Sequence, residues 1–147
     1  MAKTAYLIDG MAYVFRSYYA MRSMAAPDGT PINAVFGLGM TLQKFLAEQR
    51  PDYAACCFDA GSHTFRTDMF PEYKANRPPM PEDLREQIQP TLDIIRAMGL
   101  PLLIVPDVEA DDVIGTLTRQ AAEEGRETLV STGDKDMAQL VNAHVTL

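Results

Sequence analysis

The sequence is poor in the residues that build disulfides, zinc sites and membrane spans. Its only cysteines, Cys56 and Cys57, are neighbours inside an apolar run, so in a strand they point to opposite faces and a structural disulfide is not expected. They read as small buried hydrophobes in a reducing compartment. The two histidines, His63 and His144, are distant from each other and from cysteine, which leaves no zinc-type cluster. There is no Gly-rich phosphate loop or dinucleotide fingerprint. Nothing repeats, no segment is of low complexity, and no apolar run approaches the ~20 residues that span a bilayer. Residues 1–4 lead straight into a strand-like run without a signal peptide's apolar segment, so the expected location is cytoplasmic.

Bases are also in the minority, with 13 Lys and Arg against 20 Asp and Glu and a net charge of −7 over 147 residues. Such a balance ordinarily argues against nucleic acid, whose phosphates are held by Lys and Arg. The distribution of the acids weakens that objection. Tyr6-Leu7-Ile8 is followed by Asp9-Gly10, and Ala54-Ala55-Cys56-Cys57-Phe58 by Asp59. Leu102-Leu103-Ile104-Val105 leads to Glu109-Ala110-Asp111-Asp112, and Thr128-Leu129-Val130-Ser131 to Asp134-Lys135-Asp136. Four strand-like runs thus end in acid. In an open parallel α/β sheet the carboxyl ends of the strands share one edge, so Asp9, Asp59, Glu109, Asp111, Asp112, Asp134 and Asp136 can converge there. Acids in the first turn of a helix are also common as caps, and Glu109, Asp111 and Asp112 admit that reading. Converging carboxylates repel unless cations offset them, and oxygen donors alone point to a hard ion, Mg²⁺ or Mn²⁺.

The length fits one domain with a substantial core. The pattern predicts strands at 5–8, 53–58, 102–105 and 128–131, with a fifth beginning at 145. Helices are expected from Met11 to about Met24, over 34–49, from Pro81 to Met98 with Pro90 kinking or interrupting it, to Glu124 after the acidic turn, and from Asp134 to Asn142. Gly10 offers close approach to a phosphate or metal, and Gly37 and Gly39 suggest close packing on the sheet. Tyr18 and Tyr19 read as packing residues, and Arg16, two turns past Asp9, can face the same cleft. This alternation predicts an α/β fold, a mostly parallel twisted sheet with right-handed crossovers and helices on both faces. Residues 61–81 differ from the rest, mixing aromatics with bases and carrying four prolines. A connection this long in a compact domain is usually functional. Phe65, Met69, Phe70 and Tyr73 recur at roughly helical spacing, and Lys74 and Arg77 share a face of that helix. As a solvated loop the same bases have no role.

Taken in order, Tyr6-Leu7-Ile8-Asp9-Gly10, Phe58-Asp59, Phe65-Arg66, the run from Tyr73 to Pro81, Val108 to Gly115 and Ser131 to Leu140 resemble the bacterial 5′-nuclease family. The likeness is to the N-terminal 5′→3′ exonuclease domains that head DNA polymerases I or stand alone, kin to flap endonucleases. It covers essentially the whole chain. It implies a Rossmann-like sheet of the PIN or 5′-nuclease type, with a basic arch over about 61–80. It implies a phosphodiesterase that uses two Mg²⁺ (or Mn²⁺) ions on 5′ ends and flaps of branched DNA, in replication and repair, with a fused polymerase as a possible neighbour. The seven acids match the family's metal ligands. Tyr73, Lys74 and Arg77 match its arch, and Arg16 a base of the substrate channel. The family continues into a helix-hairpin-helix region that grips duplex and adds aspartates to the second metal site, and 1–147 is expected to be the metal-binding domain without it. The competing reading is a metal- and DNA-binding scaffold with little turnover.

Overall fold

In the computed structural model, residues 4–59, 80–132 and 145–146 are described. Five parallel strands form one sheet: β1 (Ala5–Asp9), β2 (Tyr53–Phe58), β3 (Leu102–Ile104), β4 (Thr128–Ser131) and β5 (Val145–Thr146). Their order is β3-β2-β1-β4-β5, so β1 lies at the centre. The chain steps outward one way through β2 and β3, then crosses β1 to β4 and β5. A sheet of this order reverses direction between β1 and β4, and the crevice outside the carboxyl ends at that reversal is where such folds take ligands.

The period-2 alternation of the strands sorts the core onto two faces. Ile8, Cys56 and Phe58 point to one side, where they meet three helices, α1 (Gly10–Ala20), α2 (Asn33–Gln49) and α3 (Glu82–Ala97). Leu7, Ala55, Cys57 and Val130 point to the other and pack on Ala110 and Ile114 of α4 (Ala110–Glu123). Crossovers in opposite directions along a parallel sheet put their helices on opposite faces when each is right-handed, which accounts for the split. Cys56 and Cys57 fall on opposite faces, are both buried, and have thiol pKa values pushed up to about 12 mainly by that burial.

Three sequence expectations are corrected. The first helix ends at Ala20 rather than near Met24, because Met21 turns extended and the chain folds back over the turn at 27–29, with Met24 accepting from the Ile32 amide at 2.9 Å. Pro90 does not interrupt α3. Buried Leu84, Gln87, Thr91 and Ile95 hold both halves on one face, while the carbonyl that proline leaves without a donor belongs to exposed Glu86. The glycines serve contacts other than those expected: a Cβ at Gly10 would overlap the Phe58 ring, one at Gly37 would sit 2.8 Å from Ser17 Cβ of α1, and one at Gly39 meets nothing within 4 Å. The space at Gly10 is therefore filled by core rather than left for a phosphate or metal.

The helix layer is pinned by one buried amide. α2 has no side-chain cap of its own at Ile32, and instead the Gln87 Oε1 of α3 accepts from the amides of Ala34 (2.7 Å) and Val35 (3.2 Å). Its Nε2 donates to Asn33 Oδ1 at 2.8 Å and to the Asp83 carbonyl at 2.9 Å, and Asn33 Nδ2 donates to the Tyr18 carbonyl. Tyr18 packs partly buried against the core and donates to Asp83 at 2.6 Å, a bond that holds its phenol pKa up at about 12. Tyr19, by contrast, is largely exposed and meets Tyr18 edge-on.

Candidate active site

Each corner of the site is a strand end followed by a helix start. Asp9 is the last residue of β1 and the N-cap of α1, where its Oδ1 accepts from the Ala12 amide at 3.4 Å. It is 5% exposed, and its Oδ2 accepts from Thr132 Oγ1, just past β4, at 2.7 Å. This bond spans the reversal between β1 and β4. One residue earlier, the Ser131 hydroxyl is hydrogen-bonded to the Tyr13 hydroxyl of α1.

Asp59 follows β2, and its Oδ1 accepts from the Ala110 amide at 2.7 Å. That one bond brings the end of β2 against the acidic turn, since Ala110 sits between Glu109 and Asp111. The turn itself is shaped by Asp107, which takes the left-handed φ of 67° that aspartate tolerates better than most residues. Glu109 then caps α4 and is 6% exposed, while Asp112 Oδ2 accepts from the Glu109 amide at 3.1 Å in a capping box. The capping reading of these acids is thus correct as far as it goes, and it does not compete with a second role. Asp111 lies partly exposed in the same first turn.

The electrostatics favour a cation. Asp9 and Glu109 are carboxylates withdrawn from water, where ionisation is costly unless donors or cations offset it. Helix N-termini at Asp9 and Glu109 supply part of that offset, about 0.3–1 kcal/mol each. The negative charge of Asp9 also adds to burial in raising the Cys57 thiol. The acidic donors here are all carboxylate oxygens, which suits a hard divalent ion. Among the described residues no three acidic, His or Cys side chains stand together as a finished metal cage. Five of the seven acids expected at this edge, Asp9, Asp59, Glu109, Asp111 and Asp112, are placed at it. Asp134 and Asp136 lie outside the described residues, as do Tyr73, Lys74 and Arg77, the helical spacing within 61–81 and the helix expected from 134. Arg16 is exposed on α1. The sequence reading missed Thr132, because a hydroxyl at a strand end carries no pattern until the fold sets it beside Asp9.

A parallel sheet with an acidic carboxyl edge defines an α/β domain with a candidate ligand crevice at its strand ends, and comparison with known proteins narrows it. Residues 4–147 match the family described as "5′-3′ exonuclease, N-terminal resolvase-like domain", and the chain belongs to that family. It is 52% identical over 143 residues to DNA polymerase I of Pseudomonas aeruginosa, covering 96% of this chain and 15% of the polymerase. It is 42% identical over 139 residues to a 5′-3′ exonuclease of Buchnera aphidicola, covering 95% of this chain and 46% of the exonuclease. Among solved structures, T5 5′-exonuclease with bound divalent zinc superposes with a TM-score of 0.77 at 19% identity, over 97% of this chain and 54% of that one, a likeness of fold. The chain therefore spans half or less of the length of these curated relatives.

Proposed function

We propose that this chain carries the metal-binding half of a 5′ nuclease: a 5′→3′ exonuclease and flap endonuclease hydrolysing phosphodiesters of branched DNA, as replication and repair require. The observation that carries this reading is the hydrogen bond from the Ala110 amide to Asp59, together with that from Thr132 to Asp9, because the two draw the ends of β1, β2 and β4 and the acidic turn into one crevice. The names of the relatives, 5′-3′ exonuclease and DNA polymerase I, agree with it. The polymerase relatives make a fused polymerase domain a natural companion.

Asp9, Asp59, Glu109, Asp111 and Asp112 would hold Mg²⁺ or Mn²⁺, with Asp134 and Asp136 completing the set by their match to the family motif. When bound, such ions make water a competent nucleophile near neutral pH and stabilise the leaving oxygen of an in-line displacement. The protein's own task is to keep these carboxylates aimed, through the Ala12 and Ala110 amides, the Thr132 hydroxyl and two helix N-termini. Lys74 and Arg77 place positive charge against the scissile phosphate, Tyr73 stacks on an unpaired base, and Arg16 steers the 5′ strand. No side chain serves as nucleophile.

A 5′-labelled flap substrate tests the reading. Cleavage is expected only with Mg²⁺ or Mn²⁺, and Asp9→Asn should slow single-turnover hydrolysis about a thousandfold, equivalent to several kcal/mol of lost electrostatic stabilisation. Binding of the flap without metal-dependent cleavage would favour the scaffold reading instead.

A further inference from the structure

We infer that Thr132 is a positioning residue for Asp9, and that its hydroxyl fixes the carboxylate in the orientation that divalent-metal binding requires. The inference rests on the proposal that Asp9 is a metal ligand, and adds a residue that no motif of acids indicates.

The geometry has three parts. Thr132 Oγ1 donates to Asp9 Oδ2 at 2.7 Å, the distance of a hydrogen bond to a charged acceptor. The carboxylate is 5% exposed, so water competes little for that oxygen. The bond also crosses the β1–β4 reversal, where the strand order of the sheet changes direction and the two strand ends flank a crevice. Asp9 is thereby held at both oxygens, by the Ala12 amide from its own helix and by Thr132 from the strand across the crevice.

A second contact keeps Thr132 in place. The Tyr13 hydroxyl of α1 is hydrogen-bonded to Ser131, the residue immediately before Thr132. Adjacent residues at β4's end thus grip the cap and the first turn of the same helix, which ties the backbone that carries the threonine to α1. Partners that orient a ligating carboxylate are worth about 10–100-fold in metal affinity, because a misaimed oxygen must be reordered before the ion binds.

The test is a titration of the whole chain with Mn²⁺, read as the metal concentration that gives half of the full thermal stabilisation. Thr132→Val keeps the shape and removes the donor, and the midpoint is expected to rise about tenfold. Thr132→Ser retains the hydroxyl and should restore it to within about twofold of the wild type, a rescue that a purely packing role for the threonine does not produce. Tyr13→Phe should raise the midpoint by a smaller factor. If the valine variant does not fold, Thr132→Ala is compared with Thr132→Ser in its place. An unchanged midpoint in Thr132→Val, or equal midpoints in the alanine and serine variants, overturns the assignment while leaving the metal site standing. A wild-type chain that shows no Mn²⁺ midpoint overturns the metal reading and this inference with it.

Discussion

Two threonines mark the two ends of β4, and they are in opposite circumstances. Thr128, at the amino end, is 2% exposed, and its hydroxyl is buried without a hydrogen-bond partner. Thr132, past the carboxyl end, gives its hydroxyl to a buried carboxylate. The same contrast runs along the whole sheet. At the amino ends, Tyr6 stacks edge-on against Phe45, and Arg126 lies 4.2 Å over the Tyr53 ring. At the carboxyl ends the polar side chains are occupied with carboxylates and helix-start amides. The cost at the amino edge is one stranded hydroxyl, whereas the carboxyl edge gathers charge, and gathered charge near a low-dielectric interior is what a binding site looks like in physical terms.

Substitutions away from the acidic edge should therefore change stability and leave metal binding alone. The largest such effect is expected at Gln87, which is fully buried and whose amide caps the amino end of α2 in place of a side chain at Ile32. Gln87→Leu strands the Ala34 and Val35 amides and the Asn33 carbonyl oxygen, and at about 1–3 kcal/mol for each stranded group the loss should exceed about 3 kcal/mol in chemical denaturation. The Mn²⁺ midpoint should be unaltered, and a shift in it would show that the two regions are coupled. A smaller effect of the opposite sign is expected at Thr128. Thr128→Val replaces a hydroxyl without a partner by a methyl group and should raise stability by about 1 kcal/mol. A loss there would mean that the hydroxyl is satisfied in solution, and the contrast between the two ends of β4 would weaken.

Much of this was legible in the residues. The strands at 53–58 and 128–131 were read to the residue, because apolar runs bounded by turn residues leave little choice of length. The two-faced packing of Cys56 and Cys57 followed from the period of a strand, and the approach of Asp59 to the 109–112 turn from the shared edge of a parallel sheet. Other features depended on partners distant in sequence. Pro90 read as a kink or an interruption, because local rules see the missing donor and not the buried face that carries the helix on through it. Gly10 looked like room for a ligand because nothing local indicates that the Phe58 ring fills it. Gln87 and Thr132 carry no signal in the sequence, because each is matched to groups far along the chain. Side chains whose role is to complete another element's hydrogen bonds leave no periodic trace.

The account stands on the claim that the acidic edge is a divalent-metal site, and the most direct measurement is thermal unfolding in Mg²⁺ or Mn²⁺ against NaCl at matched ionic strength. Stability should climb with the logarithm of the divalent concentration, reaching about 2.7 kcal/mol at a hundred times the dissociation constant, and Asp9→Asn combined with Asp59→Asn should abolish the gain. Equal melting in divalent salt and NaCl, or an equal gain in the doubly substituted chain, would contradict it.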